Sequence, residues 1–210
     1  MNKRSLPAPV IRRLPRYFRY LEQLKSEGVE RISSGKLAEL MSSTASQVRQ
    51  DFSCFGKLGQ QGYGYNVAKL AAEFGDILGV NEKRSIILIG AGHLGRAIAT
   101  NFDFSHYGFY LSAAFDVKPE LFETYIVDGV AIHDIAHLES YIELYKPQAA
   151  VLTLTQTAAQ ECAERLVACG VKYLWNFANI ELKLQGPDIV VEDVRFSDSI
   201  LVMSYYMVER

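Results

Sequence analysis

A glycine-rich turn placed directly after a short apolar run constrains the fold of this chain more than any other feature. The run Ser85–Ile89 predicts a buried strand, and a helical pattern opens at the end of the turn. In such a turn Gly90 permits the sharp bend, Gly92 lets a pyrophosphate approach the backbone, and Gly95 lets the helix pack on the strand. Because the N-terminus of a helix attracts anions, the whole turn is predicted to bind a dinucleotide through Gly90, Ala91, Gly92, His93, Leu94 and Gly95.

An acidic residue follows the second predicted strand at the spacing expected for such a site. The run Leu111–Phe115 leads into Asp116, 21 residues after Gly95. A carboxylate at this point accepts hydrogen bonds from ribose hydroxyls and repels a 2′-phosphate, so NAD(H) is the predicted cofactor rather than NADP(H). The alternatives are a glycine turn without a ligand and a solvated acid at the end of a strand.

Strands and helices alternate through the second part of the chain, which predicts a doubly wound parallel sheet with helices on both faces. The α/β fold expected for residues 81–195 is therefore Rossmann-like. The predicted strands are residues 85–89, 111–115, 149–154, 173–177 and 189–191, and the predicted helices are residues 94–104, 135–145 and 158–168. No proton-donor pattern of a dehydrogenase stands out, so no catalytic residue is assigned.

The first 80 residues predict a different domain, a winged helix. Helical patterns occupy residues 10–26, 35–41, with Ser34 as the cap, and 45–54, where Thr44 and Gln47 form a capping box. The second and third helices, joined by a tight turn, indicate a helix-turn-helix. Four glycines between Gly56 and Gly64 then favour a hairpin, and residues 67–78 predict a connecting helix.

Charge divides the chain in the same way. Residues 1–84 contain fourteen Lys and Arg against eight Asp and Glu, whereas residues 85–210 contain eight against sixteen. A basic first part beside an acidic second part indicates a polyanionic partner for the first part alone.

Several other classes of protein are disfavoured by the sequence. It shows neither an apolar run long enough to span a membrane nor a secretory signal. Three scattered cysteines, Cys54, Cys162 and Cys169, fit reduced thiols in a cytoplasmic protein. The histidines and cysteines lack metal-binding spacing, so no metal site is predicted.

The chain resembles the Rex family of redox-sensing transcriptional repressors over nearly its whole length. The most specific segments are residues 13–21, 44–51, 62–65, 90–95, 114–116 and 176–178, together with Phe55 and Gly56. This resemblance implies a homodimer, operator DNA binding that NADH weakens and NAD⁺ permits, and a C-terminal helix at residues 196–210 that is swapped into the partner subunit. Thr153, Thr155 and Asn176 are expected to contribute to the cofactor site.

The third helix and the wing are predicted to bind double-stranded operator DNA. Arg49 is expected to contact phosphate, while Gln47 and Gln50 are expected to reach base edges, because glutamine can pair with adenine through two hydrogen bonds. The complete set of predicted DNA-binding residues is Thr44, Ser46, Gln47, Arg49, Gln50, Ser53, Lys57 and Tyr63.

The chain departs from the usual family pattern at five positions. Gln50 and Gln61 replace basic residues, which concerns the operator sequence. Thr155 and Asn179 replace prolines, and Arg195 replaces an aspartate that pairs with an arginine on the first helix of the partner subunit in this family.

Arg19 occupies the matching position on that first helix. We therefore expect Asp198 to take over the pairing with Arg19 and Arg195 to turn toward a phosphate or an acid such as Asp193. Two alternatives remain open: a small NAD-dependent oxidoreductase with a winged-helix appendage, and a repressor that no longer responds to redox state.

Overall fold

The computed structural model describes residues 6–56, 59–60 and 63–208, and the chain divides into two compact units, residues 1–81 and 82–210. The boundary lies one residue from the predicted one. Each unit has its own hydrophobic core.

In its described residues, the first unit combines four helices with a small sheet. In chain order its elements are α1 (Ala8–Ser26), β1 (Arg31–Ile32), α2 (Ser34–Leu40), α3 (Ala45–Ser53), β2 (Gly59–Gln60), β3 (Gly64–Asn66) and α4 (Val67–Leu78). The strands are antiparallel in the order β1-β3-β2. A helix-turn-helix followed by a β-hairpin confirms the winged helix.

Side-chain caps set the starts of the helices in this unit. Thr44 accepts a hydrogen bond from the backbone N–H of Gln47 at 3.1 Å, as the capping pattern predicted. The cap of α2 was predicted one residue too late: Ser33, not Ser34, accepts from the N–H of Lys36 at 3.1 Å. Either serine can cap a helix, so residue type alone did not distinguish them.

The core of the first unit joins α1, α3 and α4. Leu14, Tyr17, Phe52 and Phe74 are buried, and the rings of Tyr17 and Phe52 lie 5.0 Å apart in an edge-to-face arrangement. Phe52 also contacts Phe74 at 5.3 Å between centroids. This aromatic packing seats the third helix on the first and fourth helices.

The second unit alternates strands and helices. Its strands are β4 (Arg84–Ile89), β5 (Phe109–Asp116), β6 (Tyr125–Val127), β7 (Val130–Asp134), β8 (Ala149–Leu152), β9 (Tyr173–Asn176) and β10 (Val190–Asp193). Its α-helices are α5 (His93–Asn101), α6 (Leu138–Tyr145), α7 (Gln156–Ala168) and α8 (Phe196–Val208), and short 3₁₀ helices occupy Ser105–Tyr107, Pro119–Leu121 and Ile135–His137.

The seven strands form one sheet in the order β10-β9-β8-β4-β5-β7-β6. Every neighbouring pair is parallel except β6 and β7. The chain leaves β4 toward β5 on one side and returns to β8 on the other, so the strand order reverses at β4. This topology confirms the Rossmann-like fold and leaves a crevice at the carboxyl ends of β4, β5 and β8.

The terminal helix α8 begins at Phe196, the first residue of the expected C-terminal helix, and is described as far as Val208. None of its described side chains is buried, and nine large apolar ones are exposed: Phe196, Ile200, Leu201, Val202, Met203, Tyr205, Tyr206, Met207 and Val208. In the structure, this helix therefore does not bury its apolar side chains against its own sheet.

Two of the three cysteines lie in the second unit. Cys162 is buried and Cys169 is partly buried, and both pack in the core between the sheet and α7. Burial raises the pKa of Cys162 to about 11, which keeps it a thiol at neutral pH. Among the described residues, no cluster of acids, histidines and cysteines could hold a metal ion, and no helix is long and apolar enough to cross a membrane.

Candidate nucleotide site and DNA interface

The glycine turn lies between the end of β4 and the start of α5, as the sequence indicates. Gly90 has a φ of +100°, and a Cβ at this position would lie 2.8 Å from the carbonyl oxygen of Thr153. A Cβ on Gly95 would overlap the carbonyl oxygen of Gly90. Both positions therefore exclude a side chain for reasons internal to the fold.

Gly92 differs from the other two glycines of the turn. It is the N-cap of α5, it has a φ of −72°, and a Cβ built on it meets nothing within 4 Å. The protein fold itself therefore does not require glycine here. Open space in front of a helix N-terminus is what the close approach of a pyrophosphate needs.

Thr153 holds the turn from the neighbouring strand. It follows β8, which ends at Leu152 rather than at residue 154 as predicted. The Thr153 hydroxyl lies 2.7 Å from the carbonyl oxygen of Gly90 and 3.0 Å from that of Ile89. The side chain of this residue thus supports the turn, which is a structural contribution to the predicted cofactor site.

Asp116 lies at the carboxyl end of β5, beside the turn. One carboxylate oxygen accepts from the backbone N–H of Ala91 at 2.6 Å, and the other accepts from those of Val117 and Lys118 at 2.8 and 3.0 Å. These bonds fix the carboxylate next to the glycine turn. A carboxylate oxygen can accept more than one hydrogen bond, so ribose hydroxyls can still be bound.

A cavity of about 190 Å³ opens between Asp116 and the start of α7. Its walls are mainly apolar and include Val117, Ile135, Leu154 and Ala158. An apolar slot beside the acid that is predicted to bind ribose suits a flat adenine ring, since ligand sites combine apolar walls with few polar groups.

The remaining predicted cofactor residues differ in their exposure to solvent. His93 and Leu94, in the first turn of α5, are exposed, as is Thr155, the N-cap of α7. Asn176, at the end of β9, is fully buried. Its amide donates to Ile180 and Asp193 and accepts from the N–H of Ala178. Asn176 therefore organises the carboxyl edge of the sheet.

The recognition helix α3 presents a polar face. Ser46, Arg49, Gln50 and Ser53 are exposed, and so is its cap Thr44. The guanidinium of Arg49 lies 3.2 Å from the hydroxyl of Ser34 at the start of α2. The Ser53 hydroxyl donates to the backbone carbonyl of Gln50 at 2.6 Å.

The wing is described only in part. Lys57, predicted to bind DNA, and Gln61, a departure from the family pattern, lie outside the described residues. Tyr63 has 70% of its surface exposed, and its carbonyl accepts from Arg31 at 3.1 Å. The side chain of Tyr63 is thus available at the base of the hairpin.

Asp51 is the residue that sequence reasoning missed. It is 1% exposed, although it is a carboxylate on the recognition helix. Arg13 donates to both of its oxygens at 2.6 and 2.7 Å, Tyr17 donates at 2.8 Å, and the side-chain amide of Gln47 donates at 2.9 Å. Burial by itself would raise the pKa of Asp51, but these hydrogen bonds hold the pKa below its ordinary value.

A signal for Asp51 was present in the sequence. The residue falls on the inward face of α3 with Val48 and Phe52, both buried. An acid on an apolar helix face needs a partner, and the basic residues of α1 were the candidates. The Gln47 amide, predicted to reach a base edge, is thereby also engaged inside the domain.

The residues of the predicted switch are placed as follows. Arg19 is exposed on α1, and its guanidinium lies 5.7 Å from the ring centre of Tyr20. Arg195 pairs with Asp193 at 3.2 Å, one of the two outcomes expected for it. Asp198 is exposed in the first turn of α8, where Ser197 donates to it at 3.3 Å.

A winged helix and a Rossmann-like domain with a dinucleotide turn together define a DNA-binding regulator that carries a nucleotide-binding domain. Two family models match the corresponding parts of the chain. One, described as "Putative DNA-binding protein N-terminus", matches residues 5–53, and the other, described as "CoA binding domain", matches residues 81–180.

Relatives of known identity extend the match to the whole chain. The redox-sensing transcriptional repressor Rex of Clostridium novyi (strain NT) is 46% identical over 207 residues, which cover 98% of this chain and 97% of that protein. The Rex repressor of Thermoanaerobacter sp. (strain X514) is 46% identical over 210 residues, covering 100% and 93% respectively. The chain belongs to the Rex family of redox-sensing transcriptional repressors.

Solved structures agree with this membership. The crystal structure of RSP in complex with beta-NAD⁺ and operator DNA matches with a TM-score of 0.91 at 45% identity, covering 99% of this chain and 94% of that chain. The structure of RSP in complex with beta-NADH matches with a TM-score of 0.89 at 43% identity, covering 99% and 96%. Since the relatives are repressors, the chain is a regulator rather than an enzyme.

Proposed function

We propose that this chain represses transcription by binding operator DNA as a homodimer and that NADH releases it. The observation that carries the proposal is the pairing of two sites in one chain. One is the open helix N-terminus at Gly92 with Asp116 beside it; the other is the exposed polar face of α3.

The residues of the second unit fit NAD(H) as the cofactor. Gly90 and Gly95 allow the tight turn, Gly92 leaves room for the pyrophosphate, and Asp116 lies where ribose hydroxyls would be bound. The apolar cavity beside Asp116 suits the adenine ring. Coenzyme A shares the adenosine and pyrophosphate with NAD, but it adds a 3′-phosphate that the Asp116 carboxylate opposes, so NAD(H) fits better.

The first unit supports DNA binding through α3 and the wing. Helix-turn-helix proteins place the second helix of the motif in the major groove, with its N-terminal residues at base edges. Arg49 is suited to phosphate, and Gln50 to adenine rather than to the guanine that a basic residue would favour. We expect a half-site richer in A·T pairs than a basic residue at this position would select.

Helix α8 supports a dimer. Nine large apolar side chains exposed on a helix of 13 residues are far more than a monomer in water tolerates. A second copy of the chain, receiving this helix and donating its own, would cover all of them in a symmetric assembly. Two recognition helices related by a twofold axis then require a pseudo-palindromic operator.

The switch is proposed to involve Arg19 of one subunit and Asp198 of the other. Arg195 is occupied by Asp193 at 3.2 Å, so it does not oppose Arg19 in the way that two facing arginines would. An exposed ion pair contributes at most about 1 kcal/mol, or several-fold in operator affinity. The NADH effect through this pair is therefore modest. The DNA partner and the three free cysteines support a cytoplasmic location.

Titration of operator DNA by fluorescence anisotropy tests the proposal. The protein is titrated without nucleotide, with NAD⁺ and with NADH, against an operator duplex and a scrambled duplex of equal length. Tight operator binding with NAD⁺ that NADH weakens supports the proposal. Equal operator affinity with both nucleotides would leave a repressor without redox sensing, and equal binding of both duplexes would refute operator recognition.

A further inference from the structure

Asp51 has a geometry that a purely structural ion pair does not need. Arg13 and Tyr17 satisfy one of its oxygens at 2.6 and 2.8 Å, whereas the other oxygen is shared between Arg13 at 2.7 Å and the Gln47 amide at 2.9 Å. The carboxylate is thus fixed from α1 and in turn holds a side chain on the recognition helix. Gln47 lies in the first turn of α3, the part of a recognition helix that contacts base edges.

We propose that Asp51 is a positioning residue that fixes the side-chain amide of Gln47 for reading adenine, an inference that rests on the proposed DNA-binding function. An ionised carboxylate only accepts hydrogen bonds, so it selects the orientation in which the NH₂ group of Gln47 faces it. One N–H is consumed by Asp51. The carbonyl oxygen and the second N–H remain for a ligand.

Those two groups are the pair that adenine requires. The glutamine oxygen accepts from the N6 amino group of adenine while the remaining N–H donates to N7. With the amide turned over, its oxygen would face the buried carboxylate, where two acceptors repel each other. Asp51 thereby excludes the wrong orientation before DNA is met.

The main-chain of Gln47 is fixed as well. Its N–H donates to the cap Thr44 at 3.1 Å, and its side chain is partly buried. Pre-organisation of this kind removes part of the entropic cost of ordering a long side chain at an interface. Gln50, one turn away in the same helix, is exposed. The side chain of Gln47 therefore loses less conformational freedom than that of Gln50 when DNA binds.

The test compares Asp51→Asn with Tyr17→Phe as a matched control. Asp51→Asn removes the charge and turns one of the two acceptor oxygens into an NH₂ donor, so the carboxylate no longer dictates the orientation of the Gln47 amide. Tyr17→Phe removes a donor to the other oxygen of the same buried network and leaves the Gln47 bond in place. The wild-type dimer first selects its operator from random duplexes. Anisotropy competition is then measured with duplexes substituted at each position of the half-site, together with the dependence of affinity on salt.

We expect the wild type to prefer adenine at one position by on the order of tenfold, the range of a two-bond contact. Asp51→Asn should relax that preference at least threefold, as Gln47→Ala does at the same position, with an unchanged salt slope. Tyr17→Phe should keep the preference. The inference is overturned if Asp51→Asn keeps the preference everywhere, or if Asp51→Asn and Gln47→Ala relax different positions. A wild type that selects no sequence refutes the proposed function itself.

A second measurement applies if Asp51→Asn does not fold. In the wild-type dimer bound to its selected operator, NMR reports hydrogen exchange of the two side-chain amide protons of Gln47. Both should be protected, one by Asp51 and one by the base, while the free dimer protects only one. Two equally unprotected protons in the free protein would overturn the inference.

Discussion

Alanine substitutions at Gly92 and Gly95 separate the effect of a side chain on folding stability from its effect on nucleotide binding. In Gly92→Ala the new Cβ meets nothing within 4 Å, and the φ of −72° is ordinary for alanine. Alanine leaves the unfolded chain fewer conformations than glycine does, which stabilises the folded protein by about 0.4–1 kcal/mol. Loss of glycine at an N-cap costs a similar amount. Stability should therefore change by less than about 1 kcal/mol, or roughly 4 °C in Tm.

The same Cβ should interfere with the cofactor. It projects into the open space where the pyrophosphate must approach the backbone, and a methyl group forced into a packed contact costs about 2 kcal/mol. That corresponds to roughly a thirtyfold rise in the Kd for NADH. The operator affinity of the nucleotide-free protein should be unchanged, whereas release by NADH should require correspondingly more NADH.

Gly95→Ala is the contrasting variant. Its Cβ would overlap the carbonyl of Gly90 and lie 2.9 Å from the Thr153 hydroxyl, so helix and strand must separate. We expect a loss of about 2 kcal/mol in stability, or roughly 8 °C in Tm. Calorimetric scanning gives Tm, and isothermal titration gives Kd. NADH binding by Gly92→Ala with the wild-type Kd would refute the assignment of this space to the pyrophosphate.

Four further predictions follow from the site and the interface. Asp116→Ala should weaken NADH binding by about tenfold and narrow the preference for NADH over NADPH, since one hydrogen-bonded charged contact contributes about 1.5 kcal/mol or more. Calorimetry with both nucleotides measures the two affinities, and wild-type binding of NADPH as tight as that of NADH would contradict this role of Asp116. Deletion of residues 196–210 should give monomers by light scattering, and a truncated chain that stays a tight dimer excludes α8 as the main contact. Arg49→Ala should weaken all DNA sequences alike and reduce the salt slope by about one; a change in sequence preference instead would argue for base reading. Charge-removing substitutions of Arg19 and Asp198 should be non-additive in operator affinity in one nucleotide state; additivity with both NAD⁺ and NADH would exclude this pair as the switch.

The parts of the fold that could be predicted were those with a strong local pattern. Helix α4 was predicted with its observed bounds because its apolar spacing is regular and Gly79 ends it in the left-handed conformation. Of the strands next to the glycine turn, β4 was predicted within one residue of its bounds, whereas β5 was predicted two residues short at its start and one at its end. Strands β6 and β7 were missed, although β7 has five residues and is longer than the predicted strands β8, β9 and β10. The Asp128-Gly129 turn between them, with Gly129 at a φ of +79°, was the signal available.

The site divides in the same way. The glycine turn and Asp116 are local motifs with known spacing, so the sequence alone placed them side by side. In the Asp51 network, by contrast, Arg13 and Tyr17 precede Asp51 by 38 and 34 positions in the chain. No local pattern specifies which cation will meet a buried acid across that distance. The predicted partner of Arg195 was found in Asp193 because the two residues are close in sequence.

On the proposed function, the ratio of NADH to NAD⁺, and not the amount of either nucleotide, sets operator occupancy. The direct measurement holds the protein, the labelled operator and the total nucleotide concentration constant while the NADH fraction is raised from zero to one, with anisotropy as the readout. A ligand shifts such an equilibrium only by its differential affinity for the two states. We expect progressive release of DNA as the NADH fraction rises, with the midpoint at the same ratio for two different total nucleotide concentrations above saturation. Constant occupancy across the whole range would contradict it.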